Sequence, residues 1–95
     1  VERLEQDMVP QVRGYVAMAL GQLRDPAARG PLIANLKRED DGKALAATIF
    51  ALAAYRDPTL LPHIEPLANH PHEDVKAMAR QAIAGLKKLQ KKPTD

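Results

Sequence analysis

The stretch V-R-G-Y-V-A-M-A-L-G-Q-L-R-D-P, residues 12–26, decides the fold because the chain repeats it. A second version, A-L-A-A-T-I-F-A-L-A-A-Y-R-D-P, fills residues 44–58, and V-K-A-M-A-R-Q-A-I-A-G-L-K-K-L fills residues 75–89. Leu20 is matched by Leu52, 32 residues later, as Leu52 is matched 31 residues later by an isoleucine. A period of about thirty residues that carries helical patterns is typical of a helical solenoid. The sequence therefore predicts an all-α chain of stacked helical hairpins.

The composition suits closely stacked helices in one small domain. Hydrophobic residues make up 45% of the 95 residues but aromatic residues only 3%, so most of the apolar mass comes from Ala, Leu, Val and Ile. The chain contains no cysteine and no serine. Disulfides, Cys-based metal sites and serine nucleophiles are therefore excluded.

The net charge of +2 is modest, and its excess lies near the end of the chain, at Lys87, Lys88, Lys91 and Lys92. Lysines in a last helical turn interact favourably with the helix dipole, by about 0.3–1 kcal/mol each, and we interpret them in this way. No apolar run approaches the ~20 residues that span a bilayer, and no signal-peptide pattern is present. We expect no membrane partner and a cytoplasmic location. The chain begins at Val1 and not at a methionine, which favours a processed or excised piece.

Two restart signals divide the chain. In Asp25-Pro26 and in Asp57-Pro58, the aspartate can cap a helix whose first turn holds the proline. Within a single domain over residues 1–95, the predicted parts are a partial repeat (1–23), a full repeat (26–55), a C-terminal capping repeat (58–91) and a tail (92–95). The two to three hairpins should form an α-α superhelix.

The first repeated stretch predicts a helix from about Pro10 to Leu23. Its apolar residues recur at the spacing of one helix face. The face expected to turn towards the core consists of Val12, Val16, Ala19, Leu20 and Leu23. Gly14 and Gly21 fall on the far side, which is tolerable if another element packs closely there. Tyr15, on the flank, is expected to pack between helices, and the alternative is that it forms part of the rim of the binding surface.

The two ends of the stack differ. The third repeat has Arg80-Gln81 where the earlier repeats have Ala17-Met18 and Ile49-Phe50. Terminal repeats of a solenoid need a polar outer face, so we interpret the last helix as a cap. The N-terminal end shows no such change. Its apolar face is expected to dock onto further repeats or to pair with a second copy.

The repeat resembles a known family. The residues that carry the resemblance are Asp7, Val12-Arg13, Ala19-Leu20-Gly21, Asp25-Pro26, Leu32, Ile33 and Leu36, and they resemble the HEAT repeat, in particular the subtype of phycobilisome lyase subunits. The resemblance covers nearly the whole chain. It implies that the Val-Arg helices line a concave surface.

The resemblance also implies an Asp–Arg hydrogen-bond ladder between successive repeats. Asp7 and Arg13 match that role directly, Lys76 matches the Arg in part, and Leu45 does not. The ladder is therefore expected to be interrupted. With the capping residues Asp25 and Asp57, these make up the predicted inter-repeat structural residues, namely Asp7, Arg13, Asp25, Asp57 and Lys76.

A strip opposite the predicted core face is the candidate binding surface. Turning about 100° per residue from Val12, and carrying the positions forward by one repeat and then another, gives Gln11, Gly14, Met18 and Gly21, then Lys43, Ala46, Phe50 and Ala53, then Asp74, Ala77, Gln81 and Ala84. Met18 and Phe50 are expected to lie side by side on a floor of Gly and Ala, where an adaptable Met suits a partner helix or peptide. The predicted partner-binding residues are Gln11, Gly14, Met18, Lys43, Phe50 and Gln81. The alternative is that Met18 and Phe50 only pack between repeats.

Residues suited to chemistry are few. The cluster from His70 to Asp74 has metal-ligand residue types, but its position at a predicted helix start favours capping, and no Gly-rich phosphate loop occurs. The sequence predicts no metal, no cofactor and no catalysis. It favours a scaffold or adaptor that binds a protein on the concave face. A nucleic-acid-binding module is the first alternative, although Asp74 joins Lys43 on the strip, which is not a basic track. A phycobilin lyase-like subunit is the second.

Overall fold

The computed structural model describes residues 9–90, and every regular element in this part of the chain is helical. In chain order the elements are α1 (Pro10–Leu23), α2 (Pro26–Arg38), α3 (Gly42–Ala53), a 3-10 segment (Pro58–Leu60), α4 (Leu61–Ile64), a second 3-10 segment (Glu65–Asn69) and α5 (Glu73–Gln90). The all-α prediction is confirmed. Residues 1–8 and 91–95, and with them Asp7, lie outside the described residues.

The helix that precedes α5 is broken into three short pieces. Pro62 and Pro66 lie inside this segment, where each lacks the N–H that a continuous helix would use. By contrast, α2 begins cleanly, because Asp25 accepts a hydrogen bond from the backbone N–H of Ala27 at 2.9 Å. Asp57 caps the next start in the same way.

The three repeated stretches form α1, α3 and α5, which lie side by side in one layer. α1 packs along α3, and α3 packs along α5. α2 packs mainly on α3, and the short segments from residue 58 to residue 69 pack on α5, which makes a second layer. The core lies between the layers, and its largest fully buried side chains include Leu32, Ile49, Leu52, Leu60, Ile64 and Leu86. Full burial of each such side chain stabilises the fold by about 1.5–3 kcal/mol.

The face of α1 that packs on its neighbour differs from the predicted one. Gly14, Ala17 and Gly21 are buried, whereas Val12 is 41% exposed and Leu23 is 73% exposed. Of the other residues predicted on the core face, Ala19 is exposed, and Val16 and Leu20 are only half-buried. Val16 and Leu20 do pack against the core, so the predicted core face of α1 was right for these two residues and wrong for Val12, Ala19 and Leu23. Within the described residues the main neighbour of α1 is α3, while α2 lies on α3.

Gly21 explains how α1 and α3 come so close. A Cβ atom at this position would lie 2.5 Å from the Cα atom of Ala51 and 2.7 Å from its Cβ and carbonyl oxygen. Gly14 is less crowded, since a Cβ there would lie 3.5 Å from the Cβ of Ala47. The two glycines thus allow the backbones of α1 and α3 to come close together. Such close packing was the condition under which the sequence allowed glycines on this side of α1.

Candidate protein-binding surface

The exposed side of α3 is identified from the directions in which α1, α2 and α5 pack against this helix. Ala44, Ala47 and Ala51 face α1, where Gly14 and Gly21 approach them. Thr48 faces α2, because its hydroxyl accepts a hydrogen bond from the Asn35 side-chain amide at 3.1 Å. At about 100° per residue, the direction that remains open belongs to Lys43 and Phe50. Phe50 is 44% exposed.

A first groove lies between the N-terminal halves of α1 and α3. It is an open depression of about 280 Å³, lined by Gln11, Gly14, Tyr15, Met18, Lys43, Ala44 and Ala47. Four of the predicted partner-binding residues, Gln11, Gly14, Met18 and Lys43, thus come together. Gly14 is buried and contributes floor, and Met18 is half-buried.

Tyr15 forms part of this groove and does not pack between helices as expected. Its side chain is 70% exposed. The reason is that the flank of α1 on which Tyr15 lies has no described neighbour, whereas the equivalent Ala47 of α3 faces α1. The sequence signal was the size of this side chain at a position that holds alanine in the next repeat.

A second groove, of about 190 Å³, lies between the C-terminal parts of α3 and α5. Its lining consists of Ala53, Arg56, Gln81, Ala82, Gly85, Leu86 and Leu89. Gln81 therefore lies in a different depression from the other predicted residues. Arg56 and Leu89 were not predicted, although Arg56 belongs to the R-D-P signal that the sequence repeats.

Phe50 separates the two grooves and lines neither of them. It lies three residues after Ala47 of the first groove and three residues before Ala53 of the second, so it is about one helical turn from each. That Met18 and Phe50 lie side by side stays a prediction. Met18 lines the first groove, and Phe50 stands as a ridge beside it.

A charged hydrogen-bond pair fixes α1 against the start of α3. The Arg13 guanidinium donates to both carboxylate oxygens of Glu39, at 2.8 Å each. Glu39 lies 32 residues after Asp7, so it is the Asp7 equivalent of the next repeat. This spacing is the signal by which the sequence could have identified Glu39 as the partner of Arg13.

The Glu39 carboxyl has a lowered pKa. Its side chain is only 1% exposed, and burial by itself raises the pKa. The hydrogen bonds from Arg13 and from the backbone N–H of Asp41 outweigh burial, so the pKa lies below its ordinary value. The same pair raises the pKa of the Arg13 guanidinium.

Two further sets of hydrogen bonds join successive repeats, near the Asp25-Pro26 and Asp57-Pro58 turns. The Arg29 guanidinium donates to Asp57 at 3.1 Å and to the Thr59 hydroxyl at 2.9 Å. The Tyr55 hydroxyl donates to the backbone carbonyl of Asp25 at 2.6 Å. Hydrogen bonds from Thr59, together with the charge of Arg29, lower the pKa of the Asp57 carboxyl.

Lys76 does not form the bond between repeats that the hydrogen-bond ladder implies. Its ammonium lies 3.6 Å from the Glu73 carboxylate, three residues earlier in the same helix. This ion pair is solvent-exposed and lies within α5, so it does not join two repeats. Leu45, at the Arg position of the second repeat, is buried and apolar.

The histidine cluster at the start of α5 is engaged in turns. His70 Nδ1 accepts a hydrogen bond from the backbone N–H of His72 at 3.0 Å, and His72 Nδ1 accepts one from the backbone N–H of Asp74 at 3.2 Å. Within residues 9–90, no three His, Cys, Asp or Glu side chains are placed to hold a metal ion. In the same part of the chain, no helix has the length and apolarity needed to cross a membrane.

Stacked hairpins whose inner helices lie side by side define an α-solenoid. The family model for HEAT repeats matches residues 1–90, and the chain belongs to the HEAT repeat family. HEAT repeats generally mediate protein interactions, and the family is typically non-enzymatic. Comparison with curated proteins and with solved structures found no match.

Proposed function

We propose that this chain is a non-catalytic scaffold or adaptor module that binds a protein partner on the concave face, across Phe50 and the two grooves. The observation that carries the proposal is the exposed Phe50 ridge, with an open groove on either side. Aromatic residues and Met are enriched in protein interfaces. Covering a side chain of this kind stabilises a complex by up to about 1.5–3 kcal/mol.

The test compares two matched double variants. Met18→Ser/Phe50→Ser changes the proposed site, whereas Val9→Ser/Leu23→Ser changes two exposed apolar residues outside both grooves. Proteins captured by the wild-type chain and by each variant are quantified by mass spectrometry, and the affinity of the purified candidate is then measured by calorimetry. We expect the site variant to bind at least about tenfold more weakly, which is a loss of about 1.4 kcal/mol, and the control to bind like the wild type.

Circular dichroism separates loss of the site from loss of the fold. We expect both variants to keep the helical signal of the wild type. If Met18→Ser/Phe50→Ser unfolds the chain, the single substitution Phe50→Ala, at a half-exposed position, takes its place. Binding that survives Phe50→Ala, or that is lost equally in the Val9→Ser/Leu23→Ser control, would overturn the proposal.

A nucleic-acid-binding role is the main alternative. The two grooves offer one cationic side chain each, Lys43 and Arg56. Two phosphate contacts give weak binding that salt abolishes easily. We therefore expect no gel shift of mixed-sequence duplex DNA at physiological salt. The lyase-like alternative rests on the resemblance to one subtype, and bilin transfer to a supplied acceptor protein tests it.

We also propose that α1 pairs with α1 of a second copy. Ala44, Ala47 and Ala51 are the residues of α3 that face α1. Their equivalents one repeat earlier are Val12, Tyr15 and Ala19, all of which are exposed. Their equivalents one repeat later, Val75, Met78 and Ala82, are all buried or half-buried. The chain thus repeats one packing face three times, and within the described residues only the first has no helix against it.

The far end of the stack favours a symmetric pair. At the position equivalent to Ala17 and Ile49, α5 carries Arg80, which is exposed and donates to the Ala68 carbonyl at 3.1 Å. Head-to-tail stacking of two copies would bury this charge. Light scattering over a range of concentrations should show a dimer that Val12→Glu, a substitution on this exposed face, dissociates. A wild-type chain that stays monomeric at high concentration would refute the pairing.

A further inference from the structure

We infer that the partner of this face is a short acidic peptide segment, with two apolar side chains that fill the two grooves and carboxylates at both ends. The inference rests on the proposed function, since it names the chemistry of the partner at the same site. It depends on two observations, namely the charges of the groove linings and the separation of the grooves.

The charges of the two grooves are of one sign. Lys43 lines the first groove and Arg56 lines the second, and neither lining contains a carboxylate. Asp41, near Lys43, accepts a hydrogen bond from the Ala44 backbone N–H at 3.0 Å. Asp57, next to Arg56, is held by Arg29 and by Thr59. Within residues 9–90, neither groove cation forms an ion pair, so each is available to a carboxylate of a partner.

Arg56 lies shortly after the end of α3, in the second R-D-P turn. Its backbone is left-handed, with φ 54°. Glycine takes this conformation freely just after a helix, whereas other residues are disfavoured there. Arg24, at the equivalent place in the first R-D-P turn, has the same conformation, with φ 50°, and lines neither groove, so this backbone belongs to the turn that both repeats share. What sets Arg56 apart is its place in the lining of the second groove. A guanidinium at this position is what a carboxylate of a partner would recognise.

The grooves lie on opposite sides of α3 and at opposite ends of it. Ala47 and Ala53 are six residues apart, which is about 9 Å along the helix, and neighbouring helices are about 8–10 Å apart. The two depressions are therefore about 13 Å apart along a diagonal that crosses Phe50. An extended segment covers this distance in about four residues, at about 3.3 Å per residue. Apolar side chains at i and i+4 would enter the grooves, and acidic residues just outside them would reach Lys43 and Arg56.

The experiment selects binders from a displayed library of random twelve-residue peptides. The wild-type chain, Phe50→Ser and the charge-reversed Lys43→Glu/Arg56→Glu serve as targets. A matched control, Arg24→Glu/Lys87→Glu, reverses two exposed charges outside both grooves. Circular dichroism checks that each target is folded. Synthetic peptides from the selection are then titrated by fluorescence anisotropy at low and high salt.

We expect peptides from the wild type to carry apolar residues four apart with Asp or Glu outside them. Lys43→Glu/Arg56→Glu should weaken these peptides about 5- to 20-fold and select Lys or Arg in their place, while the control should leave both results unchanged. Binding that depends on Phe50 but shows no acidic preference would overturn this inference and leave the proposed function intact. If no selected peptide depends on Phe50, the proposed function fails as well.

Discussion

Helices α1 and α3 come from the same repeated stretch, yet one is half exposed and the other is the centre of the molecule. α3 lies between α1 and α5 and is covered by α2, so Leu45, Ile49 and Leu52 are almost completely buried. α1 has α3 on one side, and its Val12 and Leu23 are exposed. In a solenoid each element buries surface only against its neighbours. Equivalent residues therefore contribute different amounts to the free energy of unfolding, depending on their place in the stack.

The largest expected effect tests this difference directly. Leu52→Ala removes a fully buried side chain and should lower the free energy of unfolding by about 2–5 kcal/mol. The equivalent Leu20→Ala, at a half-buried position, should cost about half as much or less. Urea denaturation followed by circular dichroism measures both. Equal losses at the two positions would contradict the comparison.

Substitution by alanine should change the free energy of unfolding in opposite directions at two glycines of α1. Gly21→Ala places a Cβ atom against the backbone of Ala51 and should cost about 1–3 kcal/mol through forced separation of the helices. Gly14→Ala meets Ala47 at an ordinary contact distance and should gain up to about 0.5–1 kcal/mol from helix propensity. The difference in urea midpoint between the two variants checks this. A stabilising Gly21→Ala would show that α1 does not need its close approach to α3.

The Arg13–Glu39 pair makes the first junction sensitive to pH. The folded-state pKa of Glu39 lies below its ordinary value of 4.5. The stabilisation is therefore complete above that value and is lost as the pH falls through the lower, folded-state pKa. Glu39→Gln should lower stability at pH 7 by about 1–3 kcal/mol and make it less dependent on pH in the acidic range. Urea titrations from pH 7 to acid measure the difference, and an unchanged pH profile would count against the pair.

The smallest change in the free energy of unfolding is expected at Lys76, the residue of α5 that matches the Arg of the ladder in part. The Lys76–Glu73 pair is exposed and lies within one helix, so Lys76→Ala should change the free energy of unfolding by no more than about 0.5 kcal/mol. Thermal melts of the two proteins should nearly coincide. A larger loss would indicate that Lys76 joins two repeats after all.

Much of the architecture follows from the sequence, whereas the orientation of α1 does not. The restart signals Asp25-Pro26 and Asp57-Pro58 predict where helices begin, and Pro62 and Pro66, which lack a backbone N–H, account for the broken segment before α5. In α1 two faces compete, one with larger apolar residues and one with Gly14, Ala17 and Gly21. Hydrophobicity alone favours the larger residues. Which face is buried depends on the nearest helix, and α3 approaches closely enough to need the small ones.

By itself, the sequence of this protein determined the all-α repeat, the stacking of the Ala-rich helices and most of the side chains around the first groove. Periodicity and capping are local properties, and for that reason residue order can show them. Only the tertiary structure decided that Phe50 separates two grooves, that Tyr15 is exposed and that Arg13 reaches Glu39. These depend on the angle and distance at which α1, α3 and α5 pack, because a side chain is buried or exposed by the atoms around it and not by its neighbours in the chain.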